Sequence, residues 1–411
     1  MAATASLTLD QQILARVVPQ EQSFTEGYAG IFHFQIWQFG EWVDVVIDDR
    51  LPTRKGKLLF VHSAEGSEFW SALLEKAYAK LYGSYEALIG GKASEGFEDF
   101  TGGIAEVYTL DKAPPKLFQI MQKALSLGSL LGCSIKNSAE EKEKCTALNL
   151  LKGHAYSVTG AEEVHFQGKP VQLVRIRNPW GHKEWTGPWN DVEWNNVSKD
   201  EKSKLNHAAD DGEFWMSYLD FIKQFTQLQI CNLTPDSLMS DKVCHWKHYQ
   251  ITLLSVPDTF SSNPQFVVRL EDVDDDPLDG RDGCTFLVGL MQKDGRQQKR
   301  LGRDLESIGQ RNVHLGPDVL LRQSPVAKCS FTNTREVCDR FKLPPGEYAI
   351  VPSTFEPHKN SSFLLRVFSE KHAAAMYCVT VTYRLIDVSC CIMLFPLTVA
   401  VPGHLLTLET R

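Results

Sequence analysis

The sequence predicts an α+β fold built in more than one part, and three observations carry that expectation. Apolar residues recur at helical spacing over Phe69–Tyr82 and again from Leu117 to Leu125. Two stretches, His154–Val158 and Val171–Asn178, alternate with period two on either side of Gln167-Gly168-Lys169-Pro170, which reads as a hairpin. After Trp246 the chain changes character. Short β-rich runs at Gln265–Leu270, Cys284–Met291, Tyr348–Pro352 and Phe363–Ser369 alternate with turn clusters, the pattern of a β-sandwich.

Length and charge bound the function. A chain of 411 residues has room for two or three domains with sizeable cores. A formal net charge of −8 gives no electrostatic footprint for nucleic acid. Met1–Gln12 has neither a basic start nor an apolar core, so no secretory signal is read there. Ten cysteines without a CxxC pair point to reduced thiols and a cytoplasmic setting. The sequons at Asn196, Asn232 and Asn360 are then expected to be idle.

In chain order, Ala2–Leu9 is a small-residue helical segment. The stripe Phe69, Trp70, Leu73, Leu74, Ala77, Tyr78 and Leu81 makes one helix whose apolar face is core. Ser67 is its expected cap, and Glu68 falls in the first turn, where the helix dipole favours a carboxylate. Pro114-Pro115 opens the next helix, with stripe Leu117, Phe118, Met121, Ala124 and Leu125, and Gly128 closes it. Cys133 lies in an apolar strand-like run and reads as a buried small residue, whereas Cys145 follows a charged, solvated segment. Neither opens a helix after a Gly-rich turn, so neither suits a nucleophile. His154 and Asn178 sit where two neighbouring strands bring them together. Such a pair is usually an ordinary hydrogen bond, but it also suits a His base oriented by an amide that activates a thiol. Glu184, Asp191, Asp211 and Glu213 are carboxylates on loops, most often merely solvated, though hard oxygens of this kind suit calcium. Trp180 reads as a core aromatic. The acidic run Glu271–Asp279 reads as a solvated loop. Ala373–Arg411 is apolar, but its run Val388–Val401 is too short to span a bilayer and Pro396 interrupts it.

The wording of these stretches resembles one family closely. Gly153-His154-Ala155-Tyr156-Ser157, Arg177-Asn178-Pro179-Trp180-Gly181, Glu184-Trp185-Thr186-Gly187 and Asp211-Gly212-Glu213-Phe214-Trp215-Met216 are similar to calpains, the calcium-dependent papain-like cysteine proteases. So are Gly27–Phe34, Val61–Gly66 and Glu98–Gly103. Asn263–Phe266, Phe341–Tyr348 and Pro352–Pro357 resemble the calpain β-sandwich. The resemblance implies a papain-like, calpain-type protease core followed by a calpain-type C2-like β-sandwich. On it, residues 1–90 are an incomplete first half of the core, 91–235 the half carrying His/Asn, 246–370 the sandwich and 371–411 a divergent tail. Ser84–Gly91 becomes a hinge between the two halves.

The resemblance also assigns roles. His154 and Asn178 become catalytic. Glu184, Asp191, the carbonyl of Ala209, Asp211 and Glu213 become a calcium site that looks intact, and Glu68 a remnant of a second one. Trp180 becomes a wedge between halves that calcium brings into line. In calpains the nucleophile heads the first helix in a Gly-Asp-Cys-Trp-Leu-Leu-Ala-Ala-Ile-Ala-Ser-Leu-Thr context. This register puts Met1 on a Leu and the Cys about three positions upstream, outside this chain, so the chain as given is expected to be inactive. No EF-hand loop pattern occurs, and a small EF-hand regulatory subunit is not expected to dock. The implied partners are intracellular protein substrates, with phospholipid contact through the sandwich a minority role. Segments 246–260 and 316–334 depart from the family pattern, which predicts an incomplete sandwich with an open edge. Two alternatives stay open: a non-catalytic calcium-responsive binder, and a splice or gene-model fragment without function.

Overall fold

The computed structural model describes residues 1–63, 65–137, 144–182, 185–189, 192–206, 212–233, 247–254, 263, 265–274, 282–292, 315, 320, 324–332, 334–354, 362–369, 373–376, 390–397, 400–401 and 404–405. The chain divides into two compact units, Met1–Gln38 with Trp42–Val243, and Phe39–Glu41 with Cys244–Arg411.

The first unit opens with α1 (Ala2–Ser6) and α2 (Gln11–Val17), then β1 (Ile31–Gln38) paired with β2 (Glu41–Asp48) and the short pair β3 (Thr53–Arg54) and β4 (Lys57–Leu58). It continues through α3 (Trp70–Tyr82), α4 (Ala93–Thr101), β5 (Ile104–Thr109), α5 (Leu117–Ser126), β6 (Leu130–Ser134), β7 (Ala155–Phe166) and β8 (Lys169–Arg177). α6 (Lys199–Leu205), β9 (Glu213–Ser217), α7 (Tyr218–Gln224) and β10 (Gln227–Asn232) complete it. Six strands form one sheet in the order β5-β10-β6-β7-β8-β9, and each of its pairings is antiparallel.

The period of two sorts this sheet's residues onto two faces. Tyr156 and Val158 of β7 join Leu131 and Cys133 of β6 in a buried core with Phe118 and Met121 of α5 and Phe221 of α7. Ser157, between them, turns the other way. Its hydroxyl accepts a 2.9 Å bond from Ser6 Oγ and donates 3.2 Å to the Ala2 carbonyl, which fastens α1 to β7. At the far end of the hairpin, Trp189, Trp194 and Trp215 pack with Val164 and Leu173 in a second cluster. Gly132 lies against α4, where an added Cβ would stand 2.9 Å from Phe97.

The helices follow the apolar stripes, with differences at their ends. α3 begins at Trp70 with Phe69 in the N-cap position and no side-chain cap, so Ser67 does not cap it. Glu68 is spent on the Trp70 indole, which donates to its carboxylate at 2.8 Å. Gly83 ends this helix in the left-handed region at φ 97°, the conformation that favours glycine there. The Glu98–Gly103 motif has a local structural purpose. Buried Asp99 accepts from the Tyr78 and Tyr82 hydroxyls at 2.5 and 2.7 Å, and Thr101 Oγ1 accepts from the Gly103 amide at 3.0 Å. The β7–β8 turn is tighter than read from the sequence. Gln167 and Gly168, at φ 51° and 76°, make it alone, and Lys169 and Pro170 already belong to β8.

The second unit holds two sheets. One orders β11 (Lys247–Leu254), β17 (Ser362–Ser369), β13 (Cys284–Gln292) and β15 (Glu336–Leu343) as β11-β17-β13-β15. The other orders β14 (Ala327–Lys328), β19 (Cys390–Pro396), β16 (Gly346–Thr354), β12 (Phe266–Leu270) and β18 (Ala373–Met376) as β14-β19-β16-β12-β18. Phe286, Val288 and Leu290 from the first meet Val268, Ile350, Ile392 and Leu394 from the second in one core, which makes a β-sandwich.

Two findings differ from the expectations for segment 246–260 and for a divergent tail after 370, while 246, 255–260, 316–319, 321–323 and 333 lie outside the described residues. Lys247–Leu254, where the family pattern breaks, is a strand paired along its whole length with β17. Residues 373–376 and 390–396, read as tail, supply β18 and β19, and β19 runs antiparallel to β16 over seven residue pairs between β16 and edge strand β14. Once paired, β19 buries Ile392, Leu394 and Phe395 at 0, 0 and 1 % exposure. If β19 is integral to the core, Leu394→Ala will cost about 2–5 kcal/mol, as other buried Leu truncations do. A urea midpoint for this unit that stays within error of the parent would show that the strand is dispensable.

Candidate active site

His154 stands just before β7 and Asn178 just after β8, so they meet beyond the last paired residues of the hairpin, three residues before Ser157 and one after Arg177. His154 Nε2 and Asn178 Oδ1 are 2.9 Å apart. The surroundings of the amide settle which atom is which. Asn178 Nδ2 donates to the His182 carbonyl at 2.6 Å, and Asn178 Oδ1 accepts from the Trp180 amide at 3.1 Å. A carbonyl can only accept and a backbone amide can only donate, so the oxygen of Asn178 must face the imidazole. Nε2 therefore carries the proton in the neutral ring, and the lone pair is on Nδ1. A base poised in this way can take a proton through Nδ1 while the amide steadies the resulting cation.

The sequence misses several supports of this pair. Gly212, whose φ is 82°, accepts from the Asn178 amide through its carbonyl at 2.9 Å, and a Cβ there would stand 2.8 Å from the Asn178 carbonyl. The Asp-Gly dipeptide is the turn signal that could have flagged it. The Tyr156 ring meets His154 edge-on with centroids 4.9 Å apart, and its hydroxyl accepts from the Leu151 amide at 2.7 Å. Burial pushes that phenol well above its ordinary value. Trp180 packs its ring 4.6 Å from His154 and stacks towards His182 at 6.0 Å. Asn178 itself is fully buried, with both amide ends engaged.

Of the other residues singled out by sequence, the structure places only some. Glu213 opens β9 opposite Arg177, and its carboxylate lies 3.8 Å from Arg175 Nε. Glu184, Asp191, Ala209 and Asp211 lie outside the described residues. Glu68 is exposed and holds the Trp70 indole. Cys133 is buried opposite Tyr156, and desolvation raises its thiol well above the usual range, so it reads as core rather than nucleophile. Cys145 is exposed and bridges Leu151. In the acidic run, Asp274 is buried and committed locally: its carboxylate accepts from the Thr285 amide at 2.8 Å and hydroxyl at 2.5 Å, with Lys342 at 3.7 Å.

Comparison with known proteins now decides the family. A family described as calpain family cysteine protease matches residues 1–232, and calpain large subunit, domain III matches 253–368. The chain belongs to the calpain family. It is 57 % identical over 400 residues to the calpain-2 catalytic subunit of Gallus gallus, covering 91 % of this chain and 57 % of that protein. It is likewise 57 % identical over 401 residues to the calpain-1 catalytic subunit of Mus musculus and 54 % over 405 residues to calpain-8 of Rattus norvegicus. It spans 56 and 58 % of those two lengths, so all three calpains extend well beyond the matched part. No helix among the described residues is long and apolar enough to cross a membrane.

The assigned tautomer can be checked directly. Nitrogen NMR of the parent is expected to show His154 protonated at Nε2 when neutral, and Asn178→Ala to release that preference. The same variant orphans the Trp180 amide and His182 carbonyl, at a cost of about 1–3 kcal/mol read as a lower urea midpoint. A parent ring protonated at Nδ1 would refute the assignment.

Proposed function

We propose that this chain carries the histidine half of the catalytic machinery of a calcium-dependent cysteine endopeptidase that cuts intracellular proteins at limited sites. The His154–Asn178 contact, with its forced amide orientation, supports this above all. In that role Nδ1 of His154 takes the proton of a cysteine thiol beside it, and the thiolate attacks the scissile carbonyl carbon. The imidazolium, steadied by Asn178 Oδ1, then returns the proton to the leaving amine. Water attacks the thioester carbonyl, and His154 again accepts and returns a proton, freeing the acid and the thiol.

Among the described residues, the thiols that precede His154 are Cys133 and Cys145, and neither has the setting of a nucleophile. Residues 1–411 by themselves are therefore proposed to lack peptidase activity. Calcium fits by donor chemistry, because Glu184, Asp191, Asp211, Glu213 and the Ala209 carbonyl are hard oxygens. Bound calcium would supply positive charge that neutralises these carboxylates and steadies their loops. The hydrogen bond from the Asn178 amide to Gly212 is how a steadier loop would brace the amide that orients His154. Cytoplasmic residence and protein substrates belong to this proposal. Phospholipid contact through the sandwich gains no support from Asp274, whose carboxylate is already engaged.

Two measurements test the assignment. The chain alone should leave a generic protein substrate intact with or without calcium, whereas a form extended upstream through a Gly-Asp-Cys-Trp segment should cleave it. In that extended form His154→Ala should lower kcat by about 100-fold or more, the contribution of a general base. Calcium-dependent cleavage by the unextended chain that His154→Ala abolishes would overturn the proposed inactivity. In calorimetry, calcium should give heat that Asp211→Ala removes. Heat without any cleavage by the extended form would favour a calcium-responsive binder instead.

A further inference from the structure

The strand that completes the second sheet carries a thiol against another thiol. Edge strand β14 pairs with β19 through Ala327 and Lys328 alone, opposite Leu394 and Met393. Immediately past that short ladder, the Cys329 amide donates to the Ile392 carbonyl at 3.1 Å. Cys391 Sγ donates to the Cys329 carbonyl at 2.9 Å, and the Ile392 amide donates to Cys329 Sγ at 2.9 Å. Each sulfur thus touches the backbone at or next to the other cysteine. Both cysteines are reduced and buried, at 8 and 1 % exposure.

We propose that Cys329 and Cys391 are a site of oxidative modification, closing to a disulfide that bolts β19 to the edge of the sandwich. The pairing is chemically asymmetric. Once local opening releases the Cys391 thiol from the Cys329 carbonyl, the contact with Cys329 and the Lys328 ammonium favour its thiolate, while that same contact and burial hold the Cys329 thiol up. A peroxide is the oxidant. The Cys391 thiolate attacks one peroxide oxygen, the O–O bond breaks, and Cys391 becomes a sulfenic acid as the oxygen is reduced. Cys329 sulfur then attacks the sulfenic sulfur, the S–S bond forms and the S–O bond breaks. The departing hydroxide leaves as water with the Cys329 proton, so two thiols and one peroxide give one disulfide and two waters. A two-residue edge strand opens locally at low cost, which gives a small oxidant its route to buried sulfur. The bond would close a loop of about sixty residues and so restrict the unfolded chain strongly.

The test uses the full chain treated with hydrogen peroxide, then denatured, alkylated and mapped by mass spectrometry. Two alkylatable thiols should vanish with a loss of about 2 Da, the mass of two hydrogens. The cross-linked peptides should be those of Cys329 and Cys391. The thermal midpoint of the oxidised chain should rise and return with dithiothreitol. Cys338→Ser should behave like the parent, whereas Cys329→Ser and Cys391→Ser should form no such bond. A bond mapped to any other pair, including one through Cys390, would overturn the proposal. So would oxidation that stops at single cysteines, or two thiols that stay alkylatable. Because the bond is mapped in the unmutated chain, a variant that fails to fold does not blur the outcome.

Discussion

A single buried amide holds the site together. Asn178 uses its oxygen for His154 and for the Trp180 amide, its side-chain nitrogen for His182, and its backbone amide for Gly212. In a fully buried position, each of those groups would be costly to leave unmade. The ends of β7 and β8, the Pro-Trp-Gly corner and Gly212 before β9 are thus tied to one another through one residue. The Gly212 carbonyl and the imidazole are therefore linked by two hydrogen bonds through Asn178.

The hairpin that presents this amide is held from both faces. Tyr156 and Val158 point into the core beneath α5 and α7, while Ser157 points the opposite way and binds α1 through Ser6 and the Ala2 carbonyl. This buried polar contact does more than add stability. It fixes where the first helix lies on β7, three residues past His154.

The sandwich shows how pairing, rather than composition, decides what an apolar stretch does. Cys390–Pro396 carries little local signal: it is apolar, contains a proline and lies within a run too short for a membrane. Between β14 and β16 it becomes an inner strand, and Pro396 is tolerated at its last position, where a missing amide costs least. Lys247–Leu254 makes the complementary point at the edge of the other sheet. There an unfamiliar sequence still alternates well enough to pair with β17 along its whole length.

Local periodicity determined the helices at Trp70–Tyr82 and Leu117–Ser126 and the β7–β8 hairpin, because side-chain period and turn residues act over a few neighbours. The same hairpin brought the chain ends that carry His154 and Asn178 together, since its pairing needs no distant partner. Helix starts were less legible: Ser67 had the chemistry of a cap, but Glu68 and Trp70 found each other first. The orientation of the Asn178 amide, the Gly212 support, the Ser6–Ser157 bond and the place of β19 were decided only in three dimensions. Each depends on a partner distant in sequence or on competition among several donors, and neither is written in the spacing of residues.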